Sequence, residues 1–165
     1  MKIPCISLWN PWAYLMAINA KYIETRSWPI THRGPLAIHA AKKWQGWQQD
    51  LCFTPTFLRA MRENESDASA RLMERIRATL GCIVCVVNVD DCKPVEEITG
   101  LSVREMTFGD YSPGRYGWIT SIVRRFKKPI PCVGRQGLFE VEVPISSWEM
   151  DSPDLPGWIN KLRFE

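Results

Sequence analysis

The segment GCIVCVVNV, residues 81–89, constrains the fold most, because it is dense in β-branched residues. Such a run predicts a buried strand over residues 82–92. Five further strands are predicted at 4–9, 21–28, 35–41, 116–130 and 136–143. Turn-rich links separate these strands, and about six strands joined in this way predict a small barrel.

One helix is predicted between the first two strands. Asn10 offers an N-cap and Pro11 the first helical position, so that the helix runs through WAYLMAINA (12–20). The order strand, helix, strand, strand favours a mixed or antiparallel sheet over repeated βαβ units. Residues 42–80 are predicted to form a helical excursion between strands. The segment is not a separate domain, because it holds too few apolar residues to close its own core. We therefore expect one α+β domain over residues 1–165.

The charge balance allows a nucleic-acid partner without demanding one. The 165-residue chain has a formal net charge of +3, which is only mildly basic, so affinity for phosphate must come from local clusters. The first residues lack the apolar core of a signal peptide, and no run approaches the length of a membrane span. We therefore expect a cytoplasmic protein without membrane contact, and six cysteines that stay reduced.

Metal and cofactor sites are not predicted. Cys82 and Cys85 have C-x-x-C spacing, but on a strand they point to opposite faces, and no second ligand pair follows. The two histidines, His32 and His39, lie seven residues apart across a turn and a strand, which favours structural roles over catalytic ones. We expect no metal and no cofactor.

The eight tryptophans allow two interpretations. Large rings can fill a small core, and we assign Trp9, Trp12 and Trp148 to it. An indole beside a cation can instead stack on a nucleobase, and Trp28 and Trp118 stay open as such surfaces.

The segment 21–28 places polar side chains on one face of its predicted strand. Glu24 and Arg26 share that face with Trp28, and Lys21 lies at the junction with the preceding helix. An exposed Glu–Arg pair contributes only about 0.2–1 kcal/mol, so stability alone does not explain the arrangement. Two interpretations of this segment therefore stay open: a charged edge strand, or the floor of a binding cleft. The basic run Arg124–Lys128 likewise fits a protected edge strand or a phosphate-contacting stripe.

Several motifs resemble the ASCH (activating signal cointegrator homology) domain family. These are SLWNPWA (7–13), K-x-x-E-x-R (21–26), HRGPLAIHA (32–40), GRYGW (114–118) and GRQGLFEV (134–141). The resemblance implies a PUA-like β-barrel with a nucleic-acid or nucleoside site between the first helix and the barrel. It carries the family's lysine, acidic residue and arginine onto Lys21, Glu24 and Arg26. Asn19 stands where a glycine is common, and asparagine also tolerates a left-handed backbone.

The expected function is therefore a module that binds RNA, another single-stranded nucleic acid or a modified nucleoside. Lys21, Glu24 and Arg26 are the central binding candidates, and the wider set adds Trp28, Arg33 and Trp118. The alternative is a hydrolase, either an amidohydrolase on N4-acetylated cytidine or a ribonuclease, with Lys21 and Glu24 as the proton-transfer pair. Against the first, Glu24 stands where amidohydrolase relatives have a threonine. A protein-interaction role for 42–80 ranks third, and no protein partner is identified.

Overall fold

Six strands form one curled sheet in the computed structural model of the chain, which describes residues 1–63 and 71–144. The strands are β1 (Lys2–Leu8), β2 (Ile23–Arg26), β3 (Gly34–Ala40), β4 (Cys82–Pro94), β5 (Tyr116–Pro131) and β6 (Leu138–Glu142). Their order is β2-β5-β4-β3-β1-β6; β1 and β3 run parallel, and the other neighbours run antiparallel.

Helices flank this sheet. In the described residues they are α1 (Trp12–Ala17), α2 (Gly46–Cys52), α3 (Pro55–Glu63), α4 (Leu72–Ala78) and α5 (Val103–Thr107), with a 3-10 turn at Val95–Glu97. The sheet is mixed and curls into half a barrel. The prediction of an α+β, PUA-like barrel of about six strands with flanking helices is confirmed.

Strand β4 separates two apolar clusters, as its continuous β-branched run predicts. Val84 and Val87 pack into the cluster that also holds Trp118, while Ile83 and Val86 pack into the cluster around Phe126. Because both faces of β4 are covered, its apolar residues need no polar alternation.

Helices α2, α3 and α4 lie within the predicted helical excursion and share a third cluster with α1. Tyr14 and Leu15 of α1 pack there against Phe57, Met61 and Ile76. The excursion therefore covers one side of α1, while the opposite side of α1 faces the sheet.

Asn10 connects the turn before α1 to two other helices. Its side chain is fully buried. The amide nitrogen donates to Thr79 Oγ1 at 2.8 Å, and the amide oxygen accepts from Tyr14 N at 3.1 Å. Its backbone oxygen accepts from Gln48 Nε2 of α2 at 2.7 Å. These bonds fix the position of the start of α1 relative to α2 and to the end of α4.

The end of α1 has the backbone that the sequence predicts. Asn19 has φ +58°, in the left-handed region, and the next two backbone nitrogens, of Ala20 and Lys21, donate to Leu15 O. This turn reverses the chain and sets the direction in which the chain passes through Lys21 into β2.

Two assignments of tryptophan to the core are wrong. Trp9 is 43% exposed, and Trp12 is only half-buried. Trp9 follows the last residue of β1 and Trp12 begins α1, so both indoles lie at the end of the sheet rather than inside it. Trp148, the third predicted core tryptophan, lies outside the described residues.

The basic run of β5 lies on the part of that strand beyond β2. Residues Tyr116 to Ile119 pair with both β2 and β4, whereas Ser121 to Pro131 pair with β4 alone among the described strands. Phe126 is buried between these charges. The arrangement matches the edge-strand interpretation of residues 124–128, because charged side chains discourage pairing with another chain there.

The Asn10 contacts predict a selective loss of stability. Asn10→Ala should lower the free energy of unfolding by about 1–3 kcal/mol, because Tyr14 N loses its buried acceptor. Urea unfolding followed by circular dichroism measures the change. Asn88→Ala is the matched control, since the Asn88 side chain bonds to Asp90 at an exposed position. A loss of unfolding free energy in Asn10→Ala no larger than that in Asn88→Ala would contradict this prediction.

Candidate nucleic-acid site

Two adjoining cavities form a cleft between the start of α1 and β2, which we call the Trp12 cleft. They have volumes of about 310 and 250 Å³ and share Trp12, Glu24 and Thr25 as walls. The first cavity is completed by Thr107, Phe108, Gly109 and Asp110. The second is completed by Ser7, Leu8, Trp9, Arg26 and Arg115. The cleft occupies the place that the family resemblance implies.

An ion chain of three residues underlies one wall of this cleft. Glu24 Oε2 lies 3.6 Å from Lys21 Nζ, and Glu24 Oε1 lies 3.0 Å from Arg26 Nε. The second contact is an ion pair without an aligned hydrogen bond at Nε. Arg26 Nη2 also donates to Ser7 O at 3.2 Å. Glu24 therefore sits between two cations that hold its carboxylate in one place.

The three residues of the ion chain differ in solvent exposure: Lys21 is buried, whereas Glu24 and Arg26 are partly exposed. The Lys21 side chain is 1% exposed, against 13% for Glu24 and 27% for Arg26. Lys21 Nζ also donates to Ile23 O. Glu24 and Arg26 line the cleft, and Lys21 lies behind them. The structure thus brings Lys21 to the carboxylate of Glu24 and not among the residues that line the cleft.

Glu105 of α5 places a second carboxyl behind β2. It is 1% exposed and accepts hydrogen bonds from Ile23 N at 2.8 Å and Tyr22 N at 3.3 Å. Its other oxygen, Oε2, is buried without a hydrogen-bond partner. Burial raises the pKa of Glu105, and the nearby positive charge of Lys21 opposes that rise. Glu105 thus anchors the backbone of β2 from outside the cleft.

The opposite rim is held by Arg115 and Thr25. Arg115 donates from Nη2 to Thr25 O at 3.2 Å and from Nε to Asp110 O at 3.1 Å. Thr25 Oγ1 accepts from Asp110 N at 2.9 Å. Gly109 fits closely here, because a Cβ at that position would lie 3.1 Å from Thr25 Cγ2. The Thr25 hydroxyl is thereby committed to the loop that closes the first cavity.

The remaining predicted binding residues lie away from the walls of the cleft. Trp118 is 0% exposed, and its Nε1 donates to Trp28 O at 3.2 Å. The Trp28 and Trp118 rings pack edge to face with centroids 4.7 Å apart. Arg33 pairs with Asp91 at 3.2 Å. Since a fully buried indole offers no face to a base, the structure does not bring Trp118 together with Glu24 and Arg26 as a stacking surface.

Sequence reasoning missed Trp12, Arg115 and Glu105. Trp12 was placed in the core, although it opens the helix next to the cleft. Arg115 belongs to GRYGW, a motif that supported the family resemblance but did not indicate that this arginine lines a cleft. Glu105 is 82 residues from Ile23, whose backbone nitrogen donates to it, and no local sequence pattern predicts that contact.

No metal site accompanies the cleft in the described part of the chain. Residues 1–63 and 71–144 contain no group of three or more His, Cys, Asp or Glu side chains placed to hold an ion. Within the same residues, no helix is long and apolar enough to cross a membrane. Each of the six cysteines is a free thiol.

Comparison with known families identifies the chain. The ASCH domain model matches residues 6–130, more than half of the sequence, and the chain therefore belongs to the ASCH domain family. A search of curated proteins found no sequence with a significant match. Membership of the family suggests a PUA-like module that binds nucleic acid.

The buried Glu105 predicts a pH-dependent difference in stability. A carboxyl whose pKa is raised by folding stabilises the protein fully below its ordinary pKa and loses that contribution as pH rises through the folded-state pKa. Glu105→Gln removes this dependence. The free energy of unfolding of the variant minus that of wild type should therefore increase with pH above the ordinary value of 4.5.

Urea unfolding at a series of pH values measures this difference. Glu142→Gln, on the exposed end of β6, controls for the loss of one negative charge. A difference for Glu105→Gln that stays level or falls with pH would contradict the raised pKa.

Proposed function

We propose that the Trp12 cleft binds single-stranded RNA, including a modified nucleoside carried by such a strand. The observation that supports this most is the meeting of an aromatic ring, a fixed carboxylate and a guanidinium on one cleft: Trp12, Glu24 and Arg26. A nucleotide offers a flat base, N–H donors on the edge of that base and a phosphate, and these three side chains match the three chemistries.

The ion chain gives each side chain of the cleft a distinct role in this proposal. Glu24, held between two cations, accepts a hydrogen bond from an N–H group on the base edge, such as uracil N3–H or an exocyclic amino group. Arg26 has five N–H donors, more than its contacts with Glu24 and Ser7 use, and it binds phosphate or a base edge. Arg115 supplies a second guanidinium on the same cavity. Single strands are favoured over duplex because a base enters the cleft only when it is unpaired.

The hydrolase alternative has weaker geometric support. Of its predicted proton-transfer pair, Glu24 lines the cleft, whereas Lys21 Nζ is buried against Ile23 O and Glu24. Thr25 lies next to the position of the missing threonine; its Oγ1 accepts from Asp110 N at 2.9 Å, and among the described residues no base is bonded to its hydroxyl. A cleft whose lysine faces inward favours binding over proton transfer to a ligand.

The proposal predicts that removal of the cleft guanidinium weakens RNA binding. Arg26→Ala should lower the affinity for a fluorescein-labelled octauridylate about tenfold and reduce the slope of log affinity against log salt by about one. Fluorescence anisotropy across a salt series measures both quantities. Arg59→Ala, which removes an exposed arginine of α3, is the matched control and should bind like wild type. Arg33→Ala tests the remaining basic candidate and should also stay close to wild type.

Turnover is measured in the same samples. Octauridylate and N4-acetylcytidine are incubated with wild type and Glu24→Gln, and products are separated by chromatography. Intact substrates with measurable RNA affinity support a binding module. Product that depends on Glu24 would replace this proposal with the hydrolase, and the absence of RNA binding at low salt would reject the binding function.

A further inference from the structure

An exposed tryptophan surface continues the Trp12 cleft onto α2. It consists of Trp9, Trp12 and Trp47. Trp9 and Trp47 are 43% and 46% exposed, although tryptophan is highly buried on average. The centroid of the Trp47 ring lies 5.9 Å from that of Trp9 and 6.1 Å from that of Trp12. Because Trp9 and Trp12 also line the cleft, the three rings form one continuous aromatic surface.

The rings of this surface are tilted rather than stacked on one another. The interplanar angles are 58° between Trp9 and Trp47 and 51° between Trp12 and Trp47. Tilted neighbours do not cover each other's faces as parallel rings would. The indoles therefore keep area that a planar ligand can cover.

Hydrogen bonds fix the surface from below. Gln48 Nε2 donates to Asn10 O at 2.7 Å, which ties α2 to the turn between Trp9 and Trp12. Trp47 Nε1 donates to Gln45 Oε1 at 3.0 Å, which holds the indole against the start of α2. Rigid aromatic rings bind with a small loss of conformational entropy, since their positions are set before the ligand arrives.

The charge at this surface matches a nucleic-acid backbone. Lys43 Nζ lies over one face of the Trp9 ring, 4.9 Å from its centroid, and Arg26 and Arg115 line the same cavity as Trp9. Asp50, one helical turn after Trp47 on α2, places a negative charge on the same face of that helix. Aromatic rings with cations along one side are the arrangement that binds successive bases of a single strand and its phosphates.

We infer that the ligand is an oligonucleotide of several residues rather than a single nucleoside. One nucleotide occupies the Trp12 cleft, and the neighbouring bases stack on Trp9 and Trp47 with a phosphate at Lys43. This inference rests on the proposed RNA-binding function and adds the length of strand that the protein contacts. An apolar peptide is disfavoured as the occupant because the surface runs directly into a wall of two arginines.

A length series tests the inference. Uridine monophosphate and uridylates of two, four and eight residues are titrated into the protein by calorimetry at one low salt concentration. Base–aromatic stacking makes each added contact worth between about fivefold and a hundredfold in affinity. Wild type should therefore bind the four-residue strand at least about tenfold more tightly than the monophosphate.

Trp47→Ala is the decisive variant, because the exposed ring can be removed without opening the core. It should remove most of the gain with length and leave the affinity for the monophosphate within about twofold. Phe53→Ala removes another exposed ring, which is 55% exposed at the end of α2, and should leave the whole series unchanged. Lys43→Ala should flatten the salt dependence of the longer strands only.

The outcomes separate the two proposals. If monophosphate and oligonucleotides bind equally, or if Trp47→Ala and Phe53→Ala behave alike, the inference is wrong while the cleft keeps its function. If neither class of ligand binds and Arg26→Ala changes nothing, the proposed function itself fails. Tight binding of octathymidylate in place of octauridylate would assign the surface to single-stranded DNA.

Discussion

The buried Asn10 side chain is the contact on which the arrangement of the site depends. It joins the turn after β1 to Thr79 at the end of α4 and to the backbone of α1, while the backbone carbonyl of Asn10 accepts a hydrogen bond from Gln48 Nε2 of α2. Three helices are thus positioned by one residue that lies between Trp9 and Trp12. Because an unpaired buried amide is costly, this arrangement excludes small shifts of α2 and keeps the tryptophan surface beside the cleft.

The charged residues around β2 lie at different depths below the surface. Glu105 and Lys21 lie buried behind the strand, Glu24 lies at the wall, and Arg26 reaches the cleft. Burying a charge without a partner is expensive, so the opposite signs of Lys21 and the two carboxylates make the cluster tolerable. The same pairing restricts Glu24 and Arg26 to one geometry. Stability and the proposed ligand recognition therefore depend on the same short strand.

Local chemistry explains which features could be predicted from the sequence. The β-branched run of β4, the left-handed Asn19 and the alternation that puts Glu24 beside Arg26 all follow from residues close together in the chain. The core assignment of Trp9 and Trp12 failed because ring size indicates burial, but neither where a strand ends nor which side of a six-residue helix is covered. Trp47 and Glu105 join the site through contacts between distant segments, which sequence spacing does not encode.

Indole resonances give the most direct test of the central claim, that single-stranded RNA binds across the Trp12 cleft and the tryptophan surface. The measurement is a nitrogen–proton correlation spectrum of the labelled tryptophan side chains, assigned by substitution and titrated with octauridylate. The account predicts shifts for Trp9, Trp12 and Trp47, with Trp118 unchanged because its ring is buried and its Nε1 donates to Trp28 O. Shifts confined to other tryptophans, or a spectrum that does not change at saturating RNA, would contradict it.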